Sequence, residues 1–250
     1  MDNIHLSVVI PSYDEITNLR KGVLEKLAYF FNKKKYKYEI IIVDDGSKDG
    51  SIEFVSRFVK ENPSFRLIGN PHLGKAGAVT KGILEARGKY VLFADMDQAT
   101  PIEELDNLMP YLDKYDIVIG SRESRREGAP WTRLAMAKSM IVLRTFAIGL
   151  KNLSDTQCGF KIFRHEAAVS LFTKLNKLHH GFNKIKGSNV SAGFDVELLY
   201  IAQKMGYKIK EVPVKWRYVE TRRVSPVKDS VKGLRELFQI KINSIRGLYN

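Results

Sequence analysis

Two short apolar runs that stop abruptly in carboxylates constrain this chain more than any other feature. The first is IIIVDDGSKDGS at residues 40–51 and the second is VLFADMD at 91–97. A buried parallel strand reads as a near-continuous apolar, β-branched or aromatic run, and ligands of open α/β sheets sit beyond the carboxyl ends of such strands. The pattern predicts that Asp44, Asp45, Asp95 and Asp97 converge on one crevice. Acidic groups there suit a divalent cation and the hydroxyls of a bound nucleotide, which is the chemistry of an enzyme.

The surrounding rhythm agrees. LSVVI precedes a helical pattern from Ile16 to about Phe31, YEIIIV one from Asp49 to Glu61, and FRLIG one from Lys75 to Arg87. YVLFA precedes another over Pro101–Asp113, and DIVIG closes the series. Strands alternating with helices of this length predict βαβ units and a mainly parallel sheet flanked by helices. Pro101 suits the first helical position, with Thr100 as cap and Glu103 and Glu104 in the first turn. After Arg122 come a basic loop, an amphipathic helix over 131–150, a strand in QCGFKIF and a helix from His165. A mobile connection over 177–192 and a helix over 194–205 lead to KIKEVPVKWRYV, a strand that Pro213 confines to an edge or a bulge.

At the C-terminus Val227, Val231, Leu234, Phe238, Ile245 and Leu248 recur at near-helical spacing among Lys228, Lys232, Arg235, Lys241 and Arg246. Such an amphipathic helix packs on its own domain or lies in a membrane interface, and both readings stand at this point.

A chain of 250 residues with 44% hydrophobic and 28% charged residues can build one large α/β core and is not a disordered chain. The lone Cys158 excludes an internal disulfide framework and a Cys-based zinc cluster, and fits a reducing compartment. The opening MDNIHLSVVIPSYDE shows no basic segment leading into an apolar one, so no signal peptide is expected. The longest apolar stretch, SMIVLRTFAIGL, is broken by Arg144 and falls short of the ~20 residues that span a bilayer. A formal charge of +13 calls for an anionic partner: nucleic acid, anionic lipid or a phosphate-bearing substrate.

Four motifs carry the chemistry. In PSYDE at 11–15, Pro11 stops the first strand and the loop presents Tyr13 and Glu15. In DDGSKDGS, Gly46 allows a tight turn and Asp49 caps the next helix, but turn chemistry does not account for two successive carboxylates at a strand end. GKAGAV at 74–79 opens a helix whose first N–H groups suit phosphate, with Lys75 adding a charge. Gly69 to Lys75 also has the spacing of a P-loop nucleotide hydrolase, yet Ala76 stands where that loop needs a hydroxyl for Mg²⁺. In ADMDQ at 94–98, Asp95 and Asp97 face the same side if extended, and hard oxygen ligands suit Mg²⁺ or Mn²⁺ completed by diphosphate oxygens. His179 and His180 lack further ligands at metal-binding spacing and read as exposed loop residues, and Cys158 reads as a small buried residue.

In that order, PSYDE, DDGSKDGS, GKAGAV and ADMD resemble the nucleotide-sugar-binding half of family 2 glycosyltransferases with a GT-A fold. SDTQCGFKIF at 154–163, SAGFDVELLYIA at 191–202 and the following EVPVKW resemble the polyprenyl-phosphate glycosyltransferases, in the branch that transfers glucose to dolichyl phosphate. The resemblance implies one GT-A domain. Its parts would be a donor half at 1–122, an acceptor-side extension at 123–225 and a C-terminal amphipathic helix at 226–250.

It also implies inverting, metal-dependent transfer of a hexose, glucose from UDP-glucose, to a polyprenyl phosphate. GDP-mannose as donor and a sugar hydroxyl as acceptor are the alternatives. Asp45 would bind the nucleobase or ribose, with Asp44 beside it as a further substrate-binding residue; Pro11, Tyr13 and Glu15 would line the nucleotide pocket, and Lys75 would approach the base or diphosphate. Asp95 and Asp97 would hold Mg²⁺ or Mn²⁺. Arg122, Arg133, Arg222, Arg223 and Ser225 would address the acceptor phosphate or close over the donor. Asp155 is either an acceptor-side catalytic carboxylate or a brace for the next strand. The Q-x-x-R-W motif of polysaccharide-extending members is absent. A peripheral enzyme on the cytosolic membrane face, without nucleic acid as partner, is the expected setting.

Overall fold

The computed structural model describes residues 4–122, 148–150, 153–185, 192–217 and 226–249, with the backbone alone at 192 and 226–232. β1 (Leu6–Ser12) leads through α1 (Ile16–Arg20) and α2 (Val23–Asn32) into β2 (Tyr38–Asp44), α3 (Ser51–Glu61) and β3 (Phe65–Gly69). α4 (Gly74–Leu84), β4 (Tyr90–Ala94), the short α5 (Leu105–Leu108) and β5 (Ile117–Arg122) follow. Beyond them lie β6 (Phe160–Arg164), α6 (His165–Leu178), α7 (Ala192–Lys204), β7 (Ile209–Val214) and α8 (Pro226–Ile245).

Among the described residues these strands form one sheet in the order β3-β2-β1-β4-β6-β5-β7. All neighbours pair in parallel except β6, which runs antiparallel to both β4 and β5. The chain builds outward from β1 to β2 and β3, then returns to place β4 on the other side of β1. That reversal opens a crevice beyond the carboxyl ends of β1 and β4. Because β6 is reversed, it is the residue before it, Gly159, that meets the crevice, and Asp95 N–H donates to the Gly159 carbonyl at 3.1 Å.

Alternate residues of the central strands feed two cores, as the two-residue period of a strand requires. Val9, Ile41, Val43, Val91 and Phe93 pack on the side of α4, α6 and α7. Val8, Ile10, Ile40, Ile42 and Leu92 pack on the side of α2 and α5. Both faces are covered, so the strands read as continuous apolar runs. The edge position expected for the Pro213 strand is borne out by β7, which ends the sheet.

Two helix expectations are corrected. The pattern from Ile16 to Phe31 is two helices, because Gly22 between them takes φ 79°, a left-handed conformation no helix interior accepts. The single helix over Pro101–Asp113 is instead α5 flanked by 3₁₀ turns at Ile102–Glu104 and Met109–Asp113. Pro110, the second residue of the second turn, has no N–H to continue an α-helical ladder. Pro101, at φ −59° and ψ 144°, stands just before the first turn, and the Thr100 hydroxyl faces Cys158 Sγ at 3.6 Å instead of capping. The amphipathic helix expected over 131–150 lies outside the described residues apart from its last three positions.

Candidate active site

The first two motifs are halves of one construction. Asp14 N–H donates to Ser47 Oγ at 2.9 Å, Glu15 N–H to Ser51 Oγ at 3.0 Å and Ile16 N–H to Asp49 Oδ2 at 2.9 Å. Lys48 N–H returns a bond to Asp14 Oδ1 at 2.8 Å. The polar residues of DDGSKDGS thus saturate the backbone at the start of α1, and the loop after β1 is held against the loop after β2. Glu15 turns back to its own helix, its carboxylate accepting from Asn18 Nδ2 at 2.6 Å.

The paired carboxylates of β2 have different tasks. Asp44 Oδ2 accepts from the N–H groups of Gly46 and Ser47 at 2.9 and 3.1 Å, closing the turn. Asp45 reaches the other way. Its carboxylate accepts from Asn70 Nδ2 and from the backbone N–H of Leu73 and Gly74, at 2.5, 2.9 and 2.8 Å. The N–H groups of Leu73 and Gly74 that lead into α4 are therefore occupied by Asp45 and not open to phosphate, which goes against the P-loop alternative. His72 accompanies them, its Nδ1 2.7 Å from the Asp45 carbonyl and its ring stacked on Tyr13 with centroids 4.5 Å apart. Pro11 does not stop β1 as expected: it pairs with Val43 inside the sheet, two residues before Tyr13, and the strand runs on through Ser12.

Asp95 and Asp97 meet through a turn, not an extended strand: β4 ends at Ala94 and Gln98 N–H donates back to the Asp95 carbonyl at 3.3 Å. Lys75, one residue into α4, places Nζ 2.6 Å from Asp95 Oδ1, and the Asp95 side chain remains 34% exposed. Asp97 Oδ1 accepts from Ala99 N–H at 3.0 Å. Burial, reinforced by the negative charge of Asp95, raises the Asp97 carboxyl above the ordinary carboxylate range. The Lys75 ammonium is stabilised in turn: burial disfavours its charge, but Asp95, Asp195 and Asp97 outweigh burial and raise its pKa.

Hard oxygens beside a like-charged neighbour are a donor set that fits a divalent cation. Among the described residues no third His, Cys, Asp or Glu completes a cluster. Substrate oxygens and water would have to supply the remaining ligands, as Mg²⁺ sites on phosphate substrates commonly arrange.

At the end of β5, Arg122 and Asp155 form a fork. Arg122 Nε lies 2.6 Å from Asp155 Oδ2 and Nη2 2.7 Å from Oδ1, while Arg122 N–H adds a third bond at 2.9 Å. Burial would raise the Asp155 carboxyl, but Arg122 overrides it and holds the group below its usual range. Glu211 on β7 fixes the segment from below, accepting from Ser154 N–H, Ser154 Oγ and Asp155 N–H at 2.7–2.8 Å. The Arg122 guanidinium sits 5.8 Å from the Trp216 ring centroid, and Arg217 N–H donates to the Ala99 carbonyl at 2.8 Å. The segment after β7 is thereby laid against the Asp97 turn.

Behind these groups Lys161 is fully buried, bonded to Asp195 Oδ1 at 2.6 Å and to the Cys158 carbonyl. Burial pushes the Cys158 thiol up to about 11, in keeping with a structural residue. His179, read as an exposed loop residue, is half-buried and bonds Glu197 at 2.7 Å. His72, Lys161, Asp195, Glu211 and Trp216 are site neighbours that the residue pattern did not single out. Their only signal was their place inside the quoted motifs. Arg133, Arg222, Arg223 and Ser225 lie outside the described residues.

Residues 7–172 match the sequence profile described as Glycosyl transferase family 2. The chain belongs to this family. It is 33% identical over 266 residues to the dolichyl-phosphate beta-glucosyltransferase of Dictyostelium discoideum, a match spanning 100% of this chain and 77% of that one. The enzyme of the same name from Saccharomyces cerevisiae is 30% identical over 270 residues, spanning 99% and 77%. Among solved structures, glucosyl-3-phosphoglycerate synthase from Mycobacterium tuberculosis in complex with UDP gives a TM-score of 0.65 at 18% identity, covering 95% of this chain and 80% of that one. A mannosyltransferase from Pyrobaculum calidifontis in complex with GDP-Man and Mn²⁺ gives 0.62 at 21%, covering 98% and 65%. These structural likenesses establish the fold, and the GT-A arrangement expected from the sequence is the one found. As a family 2 member the chain is a glycosyltransferase.

Proposed function

We propose that this glycosyltransferase moves glucose from UDP-glucose to a polyprenyl phosphate of the dolichyl type, with inversion at the anomeric carbon. The whole-chain match to relatives named dolichyl-phosphate beta-glucosyltransferase carries the choice of substrates. The observation in the site that supports it is the division of charge: Asp95, Asp97 and Lys75 at the end of β4, and an arginine held by Asp155 at the end of β5.

In the reaction an oxygen of the acceptor phosphate forms the new bond to the sugar's anomeric carbon. The bond from that carbon to the donor diphosphate breaks, and its electron pair leaves with the diphosphate. A phosphate nucleophile is already anionic at neutral pH, so no strong base is needed. Asp155 accordingly serves as the holder of Arg122 and not as a proton acceptor: its oxygens are occupied and its proton affinity is lowered. Arg122, oriented by that fork, offers the planar geometry that suits a phosphate. Mg²⁺ or Mn²⁺, held by Asp95 and Asp97, would supply neutralisation of the leaving diphosphate. Lys75 adds a fixed positive charge at the same place, and the Tyr13–His72 stack over Asp45 walls the nucleotide side.

In this reading residues 1–122 form the donor half and 123–225 the acceptor side. Arg133, Arg222, Arg223 and Ser225 belong to the acceptor side by resemblance. The work is done at a membrane surface where the acceptor resides, and the single cysteine accords with the cytosolic face. Among the described residues no helix is long and apolar enough to cross a membrane.

Sugar transfer to a short polyprenyl phosphate, with UDP-glucose and GDP-mannose compared and with EDTA as control, tests the proposal. Transfer from UDP-glucose that EDTA abolishes is the expected result. Turnover with GDP-mannose alone would overturn the choice of donor, and near-normal activity of Asp97→Ala would overturn the metal assignment.

A further inference from the structure

α8 leaves an apolar row uncovered. Its inner face is buried against α7 through Leu237 and Ile240. Gly193 N–H donates to Glu236 Oε2 at 2.7 Å, and the Tyr200 and Ser244 hydroxyls are bonded. Phe238, Ile242 and Ile245 point outward, 68%, 42% and 76% exposed, and Leu248 just beyond the helix is 48% exposed. At about 100° per residue the three helical positions fall within an arc of roughly 60°. On that projection exposed Lys241 borders the arc on one side, and exposed Arg235 and Arg246 border it on the other.

We propose that this face of α8 is the surface by which the enzyme lies on an anionic bilayer. The proposal deepens the lipid-acceptor reading and rests on it for the identity of the partner. Three observations select a bilayer. A narrow apolar ridge fenced by cations on both sides matches hydrocarbon below and anionic head groups around it. The formal charge of +13 gives the whole molecule the same preference. A second copy of the chain is disfavoured because an isologous contact would set the same cations, Lys241, Arg235 and Arg246, near each other across the ridge.

The position is also apt. Glu236 holds the start of α7, and two residues into α7 from Gly193 is Asp195, the partner of Lys161 behind the catalytic crevice. The docking helix and the site therefore share one element, α7, so a protein seated on this ridge holds its crevice in a fixed position relative to the lipid surface.

The test is flotation of the full chain with phosphatidylcholine vesicles, with and without phosphatidylserine. It uses the wild type, Phe238→Ser/Ile245→Ser and Lys241→Glu/Arg246→Glu. Transfer to a water-soluble short polyprenyl phosphate and thermal melting serve as controls. The wild type should float with phosphatidylserine vesicles only, and each double variant should bind about tenfold less or weaker. The soluble-acceptor reaction and melting temperature should be unchanged. A wild type that does not float, or variants that float as well as it does, would overturn the proposal. So would a wild-type dimer in light scattering that the serine variant dissolves. Vesicle binding as expected without any sugar transfer would leave the docking surface standing and remove the lipid-acceptor reading.

Discussion

Lys75 Nζ lies 2.6 Å from Asp95 Oδ1, so the first turn of α4 delivers a cation to the carboxylate that ends β4. The contact joins two motifs that are 20 residues apart in sequence, and the Lys75 charge opposes the burial and the Asp95 charge that raise the proton affinity of Asp97. Replacing Lys75 with Met keeps the length of the side chain and removes the charge. Transfer should fall by about a hundredfold, the order found when a fixed donor to developing negative charge is lost. Freed of its internal cation, the Asp95–Asp97 pair should bind Mn²⁺ more tightly without donor. Steady-state kinetics and a Mn²⁺ titration check both, and a variant with weaker Mn²⁺ binding would show that Lys75 helps to build the cation site.

Gly159 explains the glycine of TQCGFK. A Cβ at this position would run into the Asp95 carboxylate, whose oxygens occupy that space. Gly159→Ala should therefore displace Asp95 while leaving β6 paired, and the expected outcome is a loss of turnover of about tenfold or more from misplacement alone. A melting curve close to wild type would assign the loss to the site. Unfolding at ambient temperature would assign it to the sheet.

The Arg122–Asp155 fork predicts non-additivity. Both side chains are largely buried, at 17% and 10% exposure, so removing one partner strands a charge at a cost of about 3–5 kcal/mol. Arg122→Met and Asp155→Leu should each destabilise strongly, and the double variant should be less destabilised than the sum of the two. Denaturant unfolding of the four proteins measures the coupling. Activity should not return in the double variant, because Arg122 is needed for the acceptor; recovery would leave it a purely structural partner.

The sheet and its acidic strand ends were legible because they are local: apolar runs, their two-residue period and carboxylates at their ends all lie within a few residues of one another. The tasks of those carboxylates were not, because their partners are distant. Asp49 reads as the cap of the next helix and does accept from Ser51 N–H there, yet it also holds Ile16 at the start of α1, while Asp45 holds the start of α4. Nothing in the spacing of Leu73 or Ile16 announces this. Lys161 was hidden for a different reason. A charge within FKIF reads as the solvent side of a strand, whereas its buried position depends on Asp195, 34 residues away. The bare members of the α8 row, Phe238, Ile245 and Leu248, were visible in the sequence, but Leu237 and Ile240, which face α7, were not among them and only packing shows them.

His179 gives the clearest pH signature outside the catalytic crevice. Its Nε2 is 2.7 Å from Glu197 Oε2, its ring stacks on Phe182, and Glu197 Oε1 accepts from the Tyr249 hydroxyl that anchors the end of the α8 segment. The Glu197 bond, against the opposing effect of burial, raises the imidazole above its ordinary value of 6.5. A folded-state value above the unfolded one means that protonation favours the fold. The contribution is fully present below pH 6.5 and is lost as pH rises through the raised value. His179→Gln keeps a donor for Glu197 and removes the charge. The melting temperature of the wild type should exceed that of the variant most below pH 6.5, and the gap should close on the alkaline side. Melting curves of the two proteins across that range decide the matter, and a gap independent of pH would show that the hydrogen bond alone, not the imidazolium charge, joins α6 to α7.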